Sequence, residues 1–511
     1  MRHLLTFALF AASPLAAQAP AAVVPPPSSA VKKAAATITA SDVARRVHVI
    51  ADDSMMGRDT PSPGLEMTAQ YVADQFKSFG LKPGGENGTW FQRYDILQVQ
   101  FDPAESHVGF MAGGKHVHAE FATDARYMGG TAPDKEIGGP VVVIGGKPNR
   151  DALTGMDAAG KVVVVVMDYG KGPTAGGMGQ MIGAVYALHP LGVVILSNRD
   201  SAGWANRMKA PYRPGIRLAG AEGRPPVVEV NDAALASVLA AGGVDVAKIR
   251  ADTSTVILTD PGLKVMIDLK ETVLKQSSAP NTIGILEGTD PKLKHEYLVY
   301  SAHMDHVGIA SGKPDSIHNG ADDDASGTVG VVELAEAFSR PGARPKRSIL
   351  FITVSGEEKG LWGSNYFVNH PTVPLKDMVA DINLDMIGRN WPDTIVAIGR
   401  EHSDLGKTLE AVNAQHPELG MAAIDDRWPE ENFYGRSDHY NFAKKGVPIL
   451  FFFNGNHEDY HKPSDHPEKI DAEKESRIVR MIFWLGLEIA NAPVRPKWNE
   501  ASYKEVVASG R

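Results

Sequence analysis

From about residue 265 to 495 the chain alternates short apolar runs with helical segments, and that alternation constrains the fold most. Tyr297–Ala302, Ser348–Ser355, Met378–Asp385 and Pro448–Phe453 read as strands. Ser326–Ser339, Gly360–Asn369 and Glu475–Ala490 read as helices, the first opened by Asp324, Ser326 and Gly327. Strands covered on both faces appear as near-continuous apolar runs, so the pattern predicts an α/β domain: a mostly parallel sheet covered by helices. Ligands of such sheets bind beyond the carboxyl ends of the strands.

The chemistry-bearing residues sit at those ends. SAHMD leaves a strand with His303 and Asp305, and the loop NGADDDASG carries Asp322, Asp323 and Asp324 ahead of a helix. FITVSGEE leaves a strand with Glu357 and Glu358, DINLD with Asp385, and FFFNGNHEDYH with Tyr460 and His461. Singly, a lone His, a Glu pair and an Asp-rich loop are ordinary packed, solvated or capping residues. Brought to one rim, imidazoles and carboxylates without thiolates suit zinc or a similar divalent ion. The surplus of carboxylates suits two metals bridged by one carboxylate, with another left as a base. Cysteine is absent, which removes thiol catalysis, thiolate zinc sites and disulfides. A net charge of −9 with no basic block argues against a nucleic-acid partner.

Three competing patterns fail. His457-Glu458-Asp459-Tyr460-His461 has the HExxH form of single-zinc proteases, which works only on a helix. Asn454-Gly455-Asn456 before it and Pro463 after it predict a loop. No GxSxG elbow occurs, and Ser437, Asp438 and His439 are neighbours rather than a spaced triad. The run Gly176-Gly177-Met178-Gly179 lacks the ending and spacing of a phosphate loop.

The remaining chain supplies the organisation. In residues 1–19, Arg2 and His3, an apolar run from Leu4 to Ala12, and Ala16, Ala17 and Ala19 predict a secretory signal peptide. The mature product is then expected in the periplasm or outside the cell. Residues 20–36, rich in Pro, Ala and Ser, predict an extended tether. Residues 37–103 and 263–495 make the main domain. Within the first part, Gly64–Phe79 places Met67, Tyr71, Val72, Phe76 and Phe79 on one helical face ended by Gly80. Residues 104–262, with short runs Val141–Gly145, Val162–Val166, Gly192–Ser197 and Pro226–Val230, predict an inserted small β-rich domain. Residues 496–511 form a tail. No later stretch is apolar enough for a membrane span.

SAHMDHVG, NGADDDASG, SGEEKGLWGS, INLDMIG, SDHYNFAKKGVPILFF and YHKPSDHPEKI follow the order seen in two-zinc exopeptidases. From about residue 40 to 490 the chain resembles that family of secreted aminopeptidases and glutamate carboxypeptidases. Segment 104–262 resembles their protease-associated domain. The resemblance implies His303, Asp323 and Asp385 as ligands of one zinc, and Glu358 and His461 as ligands of the other, with Asp323 bridging. It implies Asp305 as the carboxylate orienting His303, Glu357 as the base acting on a water shared by the metals, and Tyr460 as a hydrogen-bond donor to the oxyanion. Peptides are the implied substrates, and the inserted domain is expected to wall the cleft.

Alternatives of other classes are a single-zinc glutaminyl cyclase and a non-catalytic, receptor-like binding protein. The complete ligand set argues against both. Within the family, a carboxypeptidase needs Arg or Lys for a substrate carboxylate, and an aminopeptidase needs spare carboxylates for an ammonium. Asp322, Asp324, Glu430 and Glu431 favour the aminopeptidase, whereas Arg389 and Arg436 favour the carboxypeptidase. Trp428, Phe433 and Tyr434 are candidates for a side-chain pocket.

Overall fold

The computed structural model describes residues 27–146, 150–153, 155–169, 175–220, 223–310, 312 and 314–508. The signal-peptide segment lies outside the described residues. Within the expected tether, Ser29–Ala35 is a helix rather than extended chain. Ser28 caps it by accepting the Val31 N–H, and the small side chains of Ala34 and Ala35 pack into the core. The proline-rich composition stops at Pro27, which is why the tether reading does not extend past it.

Four parallel strands form the centre of the main domain. Tyr297–His303 lies between Ser348–Val354 and Met378–Leu384, and the latter pairs in parallel with Ile449–Phe453. Thr394–Ile398 and Ala422–Ile424 extend one side, and the end of Thr255–Leu286 flanks the other. Their side chains are buried on both faces, and helix Gly327–Ser339 is buried along nearly its whole length. Helix Ala472–Asn491, capped by Asp471, covers the same face. Helix Pro63–Ser78 packs on the sheet through Leu65, Ala69, Val72, Ala73 and Phe76. Met67 points to solvent at 44 % exposure, whereas Val72 and Phe76 are buried and Tyr71 and Phe79 pack partly buried against the core as expected. Small Ala69 and Ala73, not the larger Met67, meet the sheet. Among the described residues no helix is long and apolar enough to cross a membrane.

The insert is α/β rather than merely β-rich. Ile137–Gly146, Val162–Val166, Gly192–Ser197 and Val227–Asn231 run parallel, with Ala125–Gly129 antiparallel at the edge. Helices Ser201–Lys209 and Val246–Ala251 accompany them, and the Gly176 to Gly179 run lies in helix Ala175–Tyr186. Segment 104–262 has hydrophobic clusters around Phe110, Val164 and Val194, and around Val163 and Ile195, the first of which also takes in Phe101, Leu263 and Leu269 of the flanking strands. A long antiparallel ribbon, Phe91–Ala112 against Thr255–Leu286, joins insert and main domain. Both strands run unbroken through residues 104 and 262. Strand Gly215–Leu218 pairs with this ribbon and places Leu218 beside Met304, the residue after His303.

Candidate metal centre

Each central strand delivers its polar residue just past its last apolar one. His303 ends its strand, Glu357 and Glu358 follow Val354, Asp385 follows Leu384, and His461 lies on the loop after Phe453. The alternation of β runs and helices stacks those ends on one rim. Asp323 stands at the centre. Its Oδ1 is 3.4 Å from His303 Nε2, and Asp385 Oδ1 is 3.7 Å from the same nitrogen. Its Oδ2 is 3.1 Å from His461 Nε2, which is also 3.1 Å from Glu358 Oε2. One carboxylate thus faces two donor groups through its two oxygens. All five residues expected as ligands converge, and the peptide between Asp323 and Asp324 is cis.

The donors fit a divalent ion. Among the described residues, Asp323 Oδ2 and Glu358 Oε1 are buried without hydrogen-bond partners. Buried carboxylates in that state are costly unless a cation meets them. Asp385 is held from behind: its Oδ2 accepts from Ser437 at 2.8 Å, and Ser437 accepts from Asn383 at 3.1 Å. The HExxH string forms turns, not a helix, and His457 Nε2 turns to Asp322 at 3.2 Å while His461 turns to the centre.

Asp305 supports His303 differently from the expectation. Its main-chain carbonyl is 3.2 Å from His303 Nδ1, whereas its carboxylate is 3.7 Å away. That carboxylate is drawn off by two other donors, the Thr60 hydroxyl at 3.1 Å and the Glu357 N–H at 3.2 Å. It therefore fixes the strand end that carries Glu357.

Glu357 lines a cleft with His303, Asp323, Asp385, Tyr460 and His461. Burial pushes its carboxyl well above the usual range, against the pull of His303. Burial and the nearby carboxylates of Asp323 and Glu358 raise the Tyr460 phenol, so its hydroxyl stays protonated and able to donate. Met386, Phe433, Phe451 and Phe453 supply an apolar wall, and Arg436 and Asn456 the polar rim. Trp428 and Tyr434 do not line it: Trp428 stacks on Trp391, and Tyr434 packs on His402. Among the described residues, the immediate lining of this cleft includes none from 104–262.

The acidic loop does not offer spare carboxylates. Asp322 and Asp324 are fully buried. Asp324 accepts the N–H groups of His303, Gly327 and Met386 at 3.1, 2.9 and 3.1 Å, and Asp322 accepts that of Gly388 at 2.7 Å. They knot three loops together and cannot meet a substrate ammonium. Glu430 and Glu431 are exposed and outside the lining. Arg389 is engaged by Asp459 at 3.1 Å, whereas Arg436 lines the cleft.

Two contributors carried no recognised sequence signal. Arg58, fully buried, donates to the carbonyls of Met304, Ile50, Asn319 and Gly320 beneath the Asp323 loop. Asp465 accepts the N–H groups of Asp322 and Asp323 at 3.0 and 3.2 Å. A third, His306 inside SAHMDHVG, is fully buried with Nδ1 2.9 Å from Glu358 Oε1 and 3.6 Å from Asp323 Oδ2.

Residues 281–485 match the model of peptidase family M28. These residues form an M28 peptidase domain. The M28 domain thus takes in every one of the five converging residues. Over 190 residues, 37% of this chain and 38% of the relative, the sequence is 32% identical to leupeptin-inactivating enzyme 1 of Streptomyces exfoliatus. Over 239 residues, 45% of this chain and 49% of the relative, it is 27% identical to aminopeptidase YwaD of Bacillus subtilis. The chain therefore spans less than half the length of these two relatives. The solved structure of the aminopeptidase from Aneurinibacillus sp. strain AM-1 aligns over 90% of this chain and 96% of that one, at 18% identity and a TM-score of 0.48.

Proposed function

We propose that the chain is a two-zinc aminopeptidase that removes amino-terminal residues from peptides. The observation that carries the reading is Asp323, whose two oxygens face His303 on one side and His461 on the other. His303, Asp323 and Asp385 would hold one zinc, and Asp323, Glu358 and His461 the second. Bound there, zinc supplies polarisation of the scissile carbonyl and lowers the pKa of a water. Glu357, at the cleft, takes the water's proton and returns it to the leaving amine, a transfer typically worth about 10²–10⁴-fold. The Tyr460 hydroxyl donates to the oxyanion formed on the substrate. Phe433, Phe451 and Phe453 favour an apolar side chain next to the scissile bond.

The amino-terminal preference draws support from the names of relatives, among them a probable leucine aminopeptidase of Trichophyton verrucosum, 26% identical over 328 residues and 87% of its length. Arg436 at the rim favours a second reading, a carboxypeptidase gripping a terminal carboxylate. Comparing an unblocked peptide with its N-acetylated form separates the two. Cleavage of the free amine alone is expected, and release of a carboxy-terminal residue from the acetylated peptide would overturn the reading. The proposal includes export through residues 1–19, and segment 104–262 as a protease-associated domain. Mass spectrometry of exported protein should find a start near Gln18 or Pro20.

A further inference from the structure

His306 is fully buried, and among the described residues neither ring nitrogen makes a hydrogen bond. An imidazole so placed is costly unless something else satisfies it. The chain nevertheless pins the ring. Its main-chain N–H donates to the Arg58 carbonyl at 3.2 Å. The ring lies on Gly320, which has φ of 55°, and a Cβ there would stand 2.6 Å from two ring carbons. Only glycine allows both that backbone and that approach.

What Nδ1 faces is Glu358 Oε1 at 2.9 Å, outside hydrogen-bond alignment, and Asp323 Oδ2 at 3.6 Å. His461 Nε2 completes the set at 3.1 Å from each of these carboxylates, and the four donors all lie within 4.8 Å of one another. A tetrahedral zinc with ligands at about 2.0–2.1 Å sets its donor atoms about 3.3 Å apart. The four spacings straddle that value. We propose that His306 is a fourth protein ligand of the zinc held by Glu358 and His461, which closes that site. The inference rests on the two-zinc reading above.

The partner site is built otherwise. His303, Asp323 and Asp385 offer three ligands, since both oxygens of nearby Asp324 already accept main-chain N–H groups. Closed four-ligand sites hold zinc structurally, and catalytic ones keep a position open. The His303 site is therefore the one that water and substrate can enter, and the His306 site is the tighter anchor that fixes Asp323 between them.

Cobalt(II) added to the metal-free full chain tests this without turnover. The N–H protons of ligated imidazoles shift far outside the ordinary NMR range beside this paramagnetic ion, so the shifted exchangeable signals count histidine ligands. Three are expected with two cobalt ions bound, from His303, His306 and His461. Two would overturn the proposal. In His306→Gln one signal should vanish, and the tighter zinc, read by competition with a chelating dye, should weaken at least about 100-fold. Unchanged affinity in a folded variant would overturn it equally, and a variant that fails to fold leaves the wild-type signal count to decide. A wild-type chain that bound one metal would sink the two-zinc reading, and the loss or persistence of a shifted imidazole in His306→Gln would then decide for or against His306. A chain that bound none would sink both.

Discussion

Both halves of the chain put parallel strands at their centre: Tyr297–His303 with its neighbours in the M28 domain, and Val162–Val166 between Ile137–Gly146 and Gly192–Ser197 in the insert. They treat buried charge in opposite ways. In the insert, fully buried Glu229 is closed by Arg199 at 3.0 Å and Arg207 at 2.9 Å. In the M28 domain Asp323, Glu358 and Asp385 cluster with only histidines as ion-pair partners among the described residues. An anion cluster with no Arg or Lys of its own suits a cation from outside. The same sheet architecture therefore makes a self-neutralised module in one half and a metal centre in the other, and the strand-end loops decide which.

The comparison breaks most visibly at the glutamate pair. On the proposed two-zinc mechanism, Glu357→Gln should keep both zincs and the fold while lowering kcat by about 10²–10⁴-fold, because it removes the proposed base. Glu358→Gln should instead lower zinc content. Atomic absorption beside steady-state kinetics reads both, and the reverse pattern would exchange the two roles.

Glu229→Gln in the insert should destabilise the fold by about 1–3 kcal/mol, since it leaves two guanidinium groups, each about 30% or less exposed, without their carboxylate. Zinc content should not move. A loss of zinc in urea-stable Glu229→Gln protein would show that the halves are not separate in this respect.

His439 sharpens the contrast by pH. It is buried, its Nε2 donates to the Tyr434 carbonyl at 2.8 Å, and its ring stacks on Phe451. Burial holds its pKa down, from 6.5 to about 3. Between those values the unfolded chain binds the proton and the folded chain does not, so stability rises with pH. The contribution is complete above pH 6.5 and is lost below it at about 1.4 kcal/mol per pH unit. Urea midpoints from pH 7 to 5 should fall more steeply for the wild type than for His439→Gln, and parallel slopes would refute the assignment.

The smallest effect belongs to a helix face shared by neither site. Met67→Lys should change stability by no more than about 0.5 kcal/mol, and Leu65→Ala on the buried stripe should cost about 2–5 kcal/mol. Thermal melts of the two variants rank them, and equal losses would restore the face read from the sequence.

Strand ends were legible because their signal is local: an apolar run, then a His or carboxylate. That is how His303, Glu357, Glu358, Asp385 and His461 could be named in advance. The place of Met67 was less so, because Met67 and Ala69 differ in hydrophobicity in the wrong order for their burial. The misread residues, Asp322 and Asp324, look like an acidic patch in sequence. Their carboxylates are consumed by N–H groups of Gly388 and Met386, more than sixty residues away. No short window contains that information, and the same holds for Arg58 and Asp465.

Arg58 has one more consequence, in the order of events during folding. Its guanidinium bonds Gly320 across 262 positions of sequence, and Asp465 bonds Asp322 across 143. The loop that presents Asp323 is therefore framed from a segment synthesised before the insert and another near the carboxyl end of the M28 domain. Closing chain segments of that length costs entropy before any contact repays it. The insert can collapse on its own valine strands while the ribbon zips its two ends together, which shortens the effective distance between Arg58 and Gly320. The loop that presents Asp323 is framed in full only once the segment carrying Asp465 has docked.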